Sequence, residues 1–320
     1  MIIPLCVDLI YSNKDWQQFF YSSIVTFFIG LVLFFSFKRE KIKIDVRQAF
    51  VLTLSSWLLI ALFGSIPFIY ASTSLSYTDA FFESVSGITT TGATVINNLD
   101  SLSEGILIWR ALLQWFGGIG IIVLAIAILP TLQIGGMQLL HMEHDDPYEK
   151  TLPKINQFVL EIFLLYIFLS IFCAILYFFA GMSSFDSIIH AMTTISTGGF
   201  SSHDQSFAYF NSSNIEIISV IFMIMGSLPF VVYLHFLHGQ KSLIVKDEQI
   251  RLFFIILLLI IFLTTIWLIQ SRSMPVNISI RLAFFNITSI LTGTGYTSNN
   301  YSTWGSFGLV IMLIIIFIGG

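Results

Sequence analysis

The chain has 320 residues, of which 56% are hydrophobic, 16% aromatic and 10% charged, with a mean hydropathy of +0.89 and a formal charge of −4. This excludes an ordinary soluble domain, in which about 25% of residues are charged. The few charges lie in short islands without a basic face or tail, which excludes nucleic acid as a partner.

In chain order, the opening "MIIPLCVDLIYS" has no basic residue ahead of its apolar run and no small-residue cleavage site, so it does not read as a signal peptide. Apolar runs long enough to cross a bilayer follow near residues 17–37, 48–71, 105–130, 156–181, 214–238 and 250–270. A seventh begins near Gly305 and reaches Gly320. Its sixteen residues span about 24 Å against a hydrocarbon core of roughly 30 Å, so the chain is expected to stop inside a helix. Cys6 and Cys173 stand far apart without a CxxC partner, which indicates neither a disulfide framework nor a zinc site; Cys173 reads as a small core residue.

Basic residues set the orientation. Lys38, Arg39, Lys41, Lys43 and Arg47, then Lys150 and Lys154, then Lys241, Lys246 and Arg251 alternate with stretches holding only Lys14, Arg110, Arg272 and Arg281. The richer islands are expected in the cytoplasm, making this a multi-pass protein of the cytoplasmic membrane. The opposite side then carries Asp8, Asp15, Asp79, Glu83, Asp100, Glu104, Asp186, Asp204 and Glu216, an acidic balance that concentrates cations.

Three segments are too short to cross: Tyr77 to Ile88, Ser184 to Ile195 and Asn277 to Leu291. Each reads as a short apolar helix followed by small and hydroxylated residues. Laid over one another they give "ESVSGITTTGATV" from Glu83, "HAMTTISTGGFSS" from His190 and "NITSILTGTGYTS" from Asn286, at offsets of 107 and 96 residues. A small-residue pair recurs in each following span: Gly117 and Gly118, Gly226 and Ser227, Gly319 and Gly320. The expected fold is an all-α polytopic membrane protein built from repeated units of helix, re-entrant helix, filter loop and helix. Residues 1–46 form an N-terminal helix and basic loop, 47–135 the first pore unit, 136–248 the second with its preceding cytoplasmic loop, and 249–320 the third.

The chemistry of the loops follows from their depth. Non-helical backbone in a bilayer is tolerated only where it is buried in protein or lines water. Gly92, Gly199 and Gly295 allow positive φ, which turns consecutive carbonyls toward one axis. The carbonyls of Thr90 and Thr91, Thr197 and Gly198, and Gly293 and Thr294 are then expected to replace the water shell of a cation. The negative C-terminal ends of the short helices favour the same charge.

The segments "DAFFESVSGITTTGATV", "QWFGGIGIIVLAIAILP", "GGMQL", "HAMTTISTGGFSSHD" and "LTGTGYTS" resemble the TrkH and KtrB family of potassium-uptake proteins over nearly the whole chain. The resemblance implies a pore of four such units around one axis, often in a dimer, selective for potassium, and regulated by a cytoplasmic nucleotide-binding ring of the TrkA or KtrA type. Potassium is then the substrate, bound by backbone carbonyls of Thr90, Thr91, Gly92, Thr197, Gly198, Gly199, Gly293, Thr294 and Gly295, and no cofactor is expected. Against the family pattern, only "MIIPLCVDLIYS" stands where an additional first helix is expected. The fourth unit, its filter and its arginine would need roughly another hundred residues, and the family's flexible gate would start around "FIGG" at Phe317. The expectation is a truncated form.

Other constellations carry less. His141, Glu143, His144, Asp145 and Asp146 in "HMEHDDPYEK" read as a solvated cytoplasmic loop available to a regulatory partner. His235 and His238 suit a helix end. Glu83 is expensive near lipid and is expected to face protein or the pore entrance. Asp186 and His190, one turn apart, raise the alternative of a membrane enzyme, although Asp186 suits helix capping and no nucleophile stands beside the pair. The leading expectation is passive or coupled (symport) potassium permeation; a non-conducting assembly partner is the third alternative.

Overall fold

The computed structural model of the chain describes residues 1–36, 46–132, 151–239 and 247–319. Every long regular element among them is helical. The islands 37–45, 133–150 and 240–246, with "HMEHDDPYEK", Lys150, Lys241 and Lys246, lie outside the described residues, as do Gly320 and the side chains of Lys154 and His235.

The helices are α1 (Ile2–Ile10), α2 (Trp16–Ser36), α3 (Val46–Tyr70), α4 (Tyr77–Ile88), α5 (Glu104–Leu132), α6 (Thr151–Phe179), α7 (Ser184–Ile195), α8 (Ser213–Ser227), α9 (Phe230–Leu237), α10 (Glu248–Arg272), α11 (Val276–Leu291) and α12 (Ser306–Gly319). By length and composition Trp16–Ser36, Phe50–Tyr70, Gln157–Phe179 and Glu248–Arg272 can each cross a membrane. Phe27, Phe168 and Phe262 on these helices are more than 60% exposed. Such faces are costly in water and cost nothing against lipid tails.

The chain forms two compact units, one of Met1–Thr89 with Ala93–Val159, the other of Thr90–Gly92 with Leu160–Gly320. In the first, α1 is fastened to the start of α5. The Gly105 amide donates to Asp8 Oδ1 at 2.7 Å, placing a carboxylate at the positive end of that helix. Asn13 donates to Asp8 and Glu104, and Asp15 accepts from Ser72 and Ser103. Trp109 of α5 donates its indole N–H to Gly64 O of α3. In the second unit the core of α10, α11 and α12 is Leu257, Ile261, Leu268, Ala283, Ile287, Trp304, Met312 and Ile315. Cys173 is fully buried.

One element departs from expectation. The run expected as one span over 214–238 is broken between α8 and α9, because Pro229 has no N–H and disfavours a helical Leu228, whose ψ is 146°. Tyr233 braces the break by donating its hydroxyl to Met225 O at 2.7 Å. The third short helix, Val276–Leu291, begins within one residue of the expected start, after Pro275, and is about a turn longer at its start than its counterparts. His238 closes α9, with Nδ1 2.8 Å from Leu234 O.

Candidate functional site

The sequence segments "YTDAFFESVSGI" and "SFDSIIHAMTTI" form α4 and α7 over the expected residues. Both begin with a reciprocal cap. Ser76 Oγ accepts the Asp79 amide and donates to its carboxylate, and Ser183 does the same with Asp186. Both end where small and hydroxylated residues stop offering apolar surface to bury.

After each short helix the backbone turns left-handed twice. Thr90, Thr197 and Gly293 have φ of 55°, 49° and 77°, and two residues on Gly92, Gly199 and Gly295 have 78°, 77° and 84°. The glycines were legible as positive-φ positions; Thr90 and Thr197 were not, since a β-branched residue pays about 1–3 kcal/mol there. In the second and third loops an amide holds the turn. In the second loop the Gly198 amide donates to Thr193 O at 2.9 Å, and in the third the Gly295 amide donates to Ser289 O at 3.1 Å. With the donors bonded back to the short helix, the carbonyls of the same loops point away from it.

The three loop segments Thr90–Gly92, Thr197–Gly199 and Gly293–Gly295 all belong to the second compact unit. A Cβ built on Gly92 would fall on Gly198 O and lie 3.7 Å from Thr294 O; one built on Gly199 would fall on Thr294 O. Carbonyls named from the sequence thus reach the neighbouring loops' glycines. Gly295 meets no atom within 4 Å.

Behind the loops, small residues bring the following helices close. A Cβ on Gly117 would fall on Ile88 O, one on Gly226 would lie 2.7 Å from Ile195 O, and one on Gly319 would fall on Leu291 O. Those oxygens belong to the last residues of α4, α7 and α11.

Of the nine acids assigned to one side, Asp8, Glu83 and Glu216 are buried rather than solvated. Glu83 faces protein: Arg110 Nε donates to it at 2.8 Å, as do Thr94 Oγ1 at 2.9 Å and the Val95 amide at 3.1 Å. Arg281 of α11 donates to Glu216 of α8 through Nε at 2.7 Å and Nη2 at 2.9 Å. Sequence reading missed both ion pairs, because each joins residues on different helices.

Asp186 and His190 do not form a side-chain pair. The His190 ring places Nδ1 2.9 Å from Asp186's backbone O and Nε2 2.9 Å from Ser201 Oγ. The Asp186 carboxylate takes Ser183 and Ser202 and lies 3.3 Å from His203. Tyr296, aligned with Ala93 and Phe200, is buried with its hydroxyl 2.5 Å from Thr193 Oγ1, joining the end of the third loop to α7.

Residues 15–320 match the TrkH family, described as cation transport protein. The whole chain aligns at 39% identity with the Trk system potassium uptake protein TrkI of Halomonas elongata and covers 65% of that protein. It also aligns at 39% with the Trk system potassium uptake protein TrkH of Escherichia coli K12, covering 67% of it. The crystal structure of the potassium transporter TrkH from Vibrio parahaemolyticus superposes with a TM-score of 0.88 at 36% identity, over 98% of this chain and 65% of that one. The chain thus spans about two thirds of the length of these relatives.

Proposed function

The chain belongs to the TrkH family of cation transport proteins, and on that premise we propose that it is a pore-forming part of a potassium uptake system of the cytoplasmic membrane. The relatives named as potassium uptake proteins support the choice of ion. The observation that carries the mechanism is the approach of the Gly198 and Thr294 carbonyls to neighbouring loop glycines where no Cβ fits.

In this reading potassium sheds water and passes among backbone carbonyls of Thr90–Gly92, Thr197–Gly199 and Gly293–Gly295. No side chain is asked to bind it. The left-handed turns aim the carbonyls, the amides tied to Thr193 O and Ser289 O keep them aimed, and the C-terminal ends of α4, α7 and α11 add negative potential. The family is one of transporters, not enzymes, and Asp186 and His190 are engaged in holding the second loop.

Multi-pass insertion with the basic islands inside accompanies this reading. So do a homodimer and a nucleotide-binding ring meeting the loops at 131–155 and 239–250. The test is growth of a strain without potassium uptake of its own, at limiting potassium, on expression of the intact gene product. Restored growth with uptake of potassium in preference to sodium supports the proposal, and uptake without that preference overturns it.

A further inference from the structure

One register position on the short helices recurs with three different polar residues. Glu83, His190 and Asn286 align at offsets of 107 and 96 residues, and each is 0% exposed. None reaches the filter carbonyls. Each instead grips the chain just beyond its own filter, eleven or twelve residues on. Glu83 accepts from Thr94 Oγ1 and the Val95 amide. His190 Nε2 meets Ser201 Oγ at 2.9 Å. Asn286 Nδ2 donates to Ser298 Oγ at 2.9 Å while its Oδ1 accepts the Ser298 amide at 3.2 Å. Thr94 and Ser201 align with each other, as do Val95 and Ser298.

Three residues later in the same alignment stand Ser86, Thr193 and Ser289. Ser86 Oγ donates to Ala93 O at 2.5 Å and Ser289 Oγ to Tyr296 O at 2.8 Å, again at equivalent positions directly after the last filter glycine. Thr193 Oγ1 meets the Tyr296 hydroxyl instead. A carboxylate, an imidazole and an amide share little but the capacity to form directed hydrogen bonds. A position kept polar and buried in three chemistries costs stability unless it is paired, so pairing is what the position supplies.

We propose that Glu83, His190 and Asn286 are positioning residues of the filter, each clamping the outgoing limb of its loop to the short helix so that the carbonyls cannot rotate away from the ion. The proposal rests on the potassium-uptake reading for its consequence and on geometry alone for the clamp. The amides behind the filter fix its incoming limb; the clamp fixes the other, and a loop held at both ends keeps its carbonyl spacing when a smaller ion enters. Arg110 neutralises Glu83 in the first unit, so the clamp adds no net charge beside the ion path there.

The test uses the intact gene product, with amide exchange and cation preference measured on the same variants. His190→Leu and Asn286→Leu keep size but lose the bonds. Exchange should accelerate by about tenfold or more in residues 200–205 for the first and 297–301 for the second, each without change in the other loop, and the potassium-to-sodium preference should fall by roughly tenfold. His190→Asn, which copies the third unit's chemistry, should restore both. Should a leucine variant not accumulate, Ser201→Ala removes the His190 bond from the other end and should reproduce the first pattern, while Ser298→Ala removes the Oγ bond but keeps the Ser298 amide on Asn286 Oδ1 and should shift exchange and preference in the same direction by less. Unchanged exchange and unchanged preference in the serine variants, or reduced protein with an unchanged preference in all four, would overturn the clamp. A wild-type protein without potassium preference would overturn the uptake reading, while the exchange arm still decides the clamp.

Discussion

At the scale of the residue, backbone geometry separates positions that look alike in sequence. Gly199 and Gly295 are aligned and both left-handed, yet a Cβ on Gly199 would fall on Thr294 O while one on Gly295 meets nothing within 4 Å. Gly295→Ala should therefore cost only the strain of a side chain at positive φ, about 1–2 kcal/mol. Gly199→Ala must also displace the third loop, and should lose cation preference as well as melting temperature. Comparing the two variants in detergent melting and in potassium-to-sodium uptake separates strain from overlap; equal loss of preference in both would contradict the close approach. Arg110 makes a second case. It is 1% exposed and paired to a fully buried Glu83, so Arg110→Gln leaves an unpaired buried carboxylate and should destabilise by about 3–5 kcal/mol. Arg110→Gln with Glu83→Gln should recover much of that loss, since neither group is then charged, and no recovery in thermal melting would argue that the pair is not the stabilising element.

At the scale of the element, helix contact depends on a few small residues. Gly117 and Gly120 lie on one face of α5, but a Cβ on Gly117 would fall on Ile88 O, whereas one on Gly120 would touch Trp57 at 3.6 Å, an ordinary contact. Gly117→Ala should cost about 1–3 kcal/mol through overpacking, and Gly120→Ala should be neutral or stabilising, because alanine is the better helix former by about 1 kcal/mol. Gly226→Ala should fall between, with Ile195 O at 2.7 Å and a movable Thr197 methyl at 3.2 Å. Melting temperatures of the three variants check the order. The short helices α4 and α7 were legible because an apolar run ends abruptly in hydroxyl residues and a serine and an aspartate stand at its start, all local signals. The break at Pro229 was hidden by continuous hydropathy on both sides, which a window for spans averages over. Glu83's partner was invisible for another reason: Arg110 is local to a different helix, and only packing brings them to 2.8 Å. Thr90 and Thr197 gave no signal for positive φ; at Thr197 the turn is held by the following amide, which donates to Thr193 O five residues before it.

At the scale of the whole molecule, exposed apolar side chains on helices long enough to cross a membrane and membership of a cation transport family support the proposed ion permeation. The account makes the backbone the ligand. It follows that hydroxyl-removing changes such as Thr91→Val, which leave the carbonyl in place, should retain cation preference within about threefold, less than the tenfold that 1.4 kcal/mol represents. Preference lost with the hydroxyl would move the binding site from carbonyl to side chain. The most direct measurement is anomalous diffraction from crystals of the intact protein grown in rubidium or thallium, cations close in chemistry to potassium. The account predicts a peak among the carbonyl oxygens of Thr90–Gly92, Thr197–Gly199 and Gly293–Gly295, weakened in Gly199→Ala. A peak held by carboxylates or hydroxyls elsewhere, with none among those carbonyls, would contradict it.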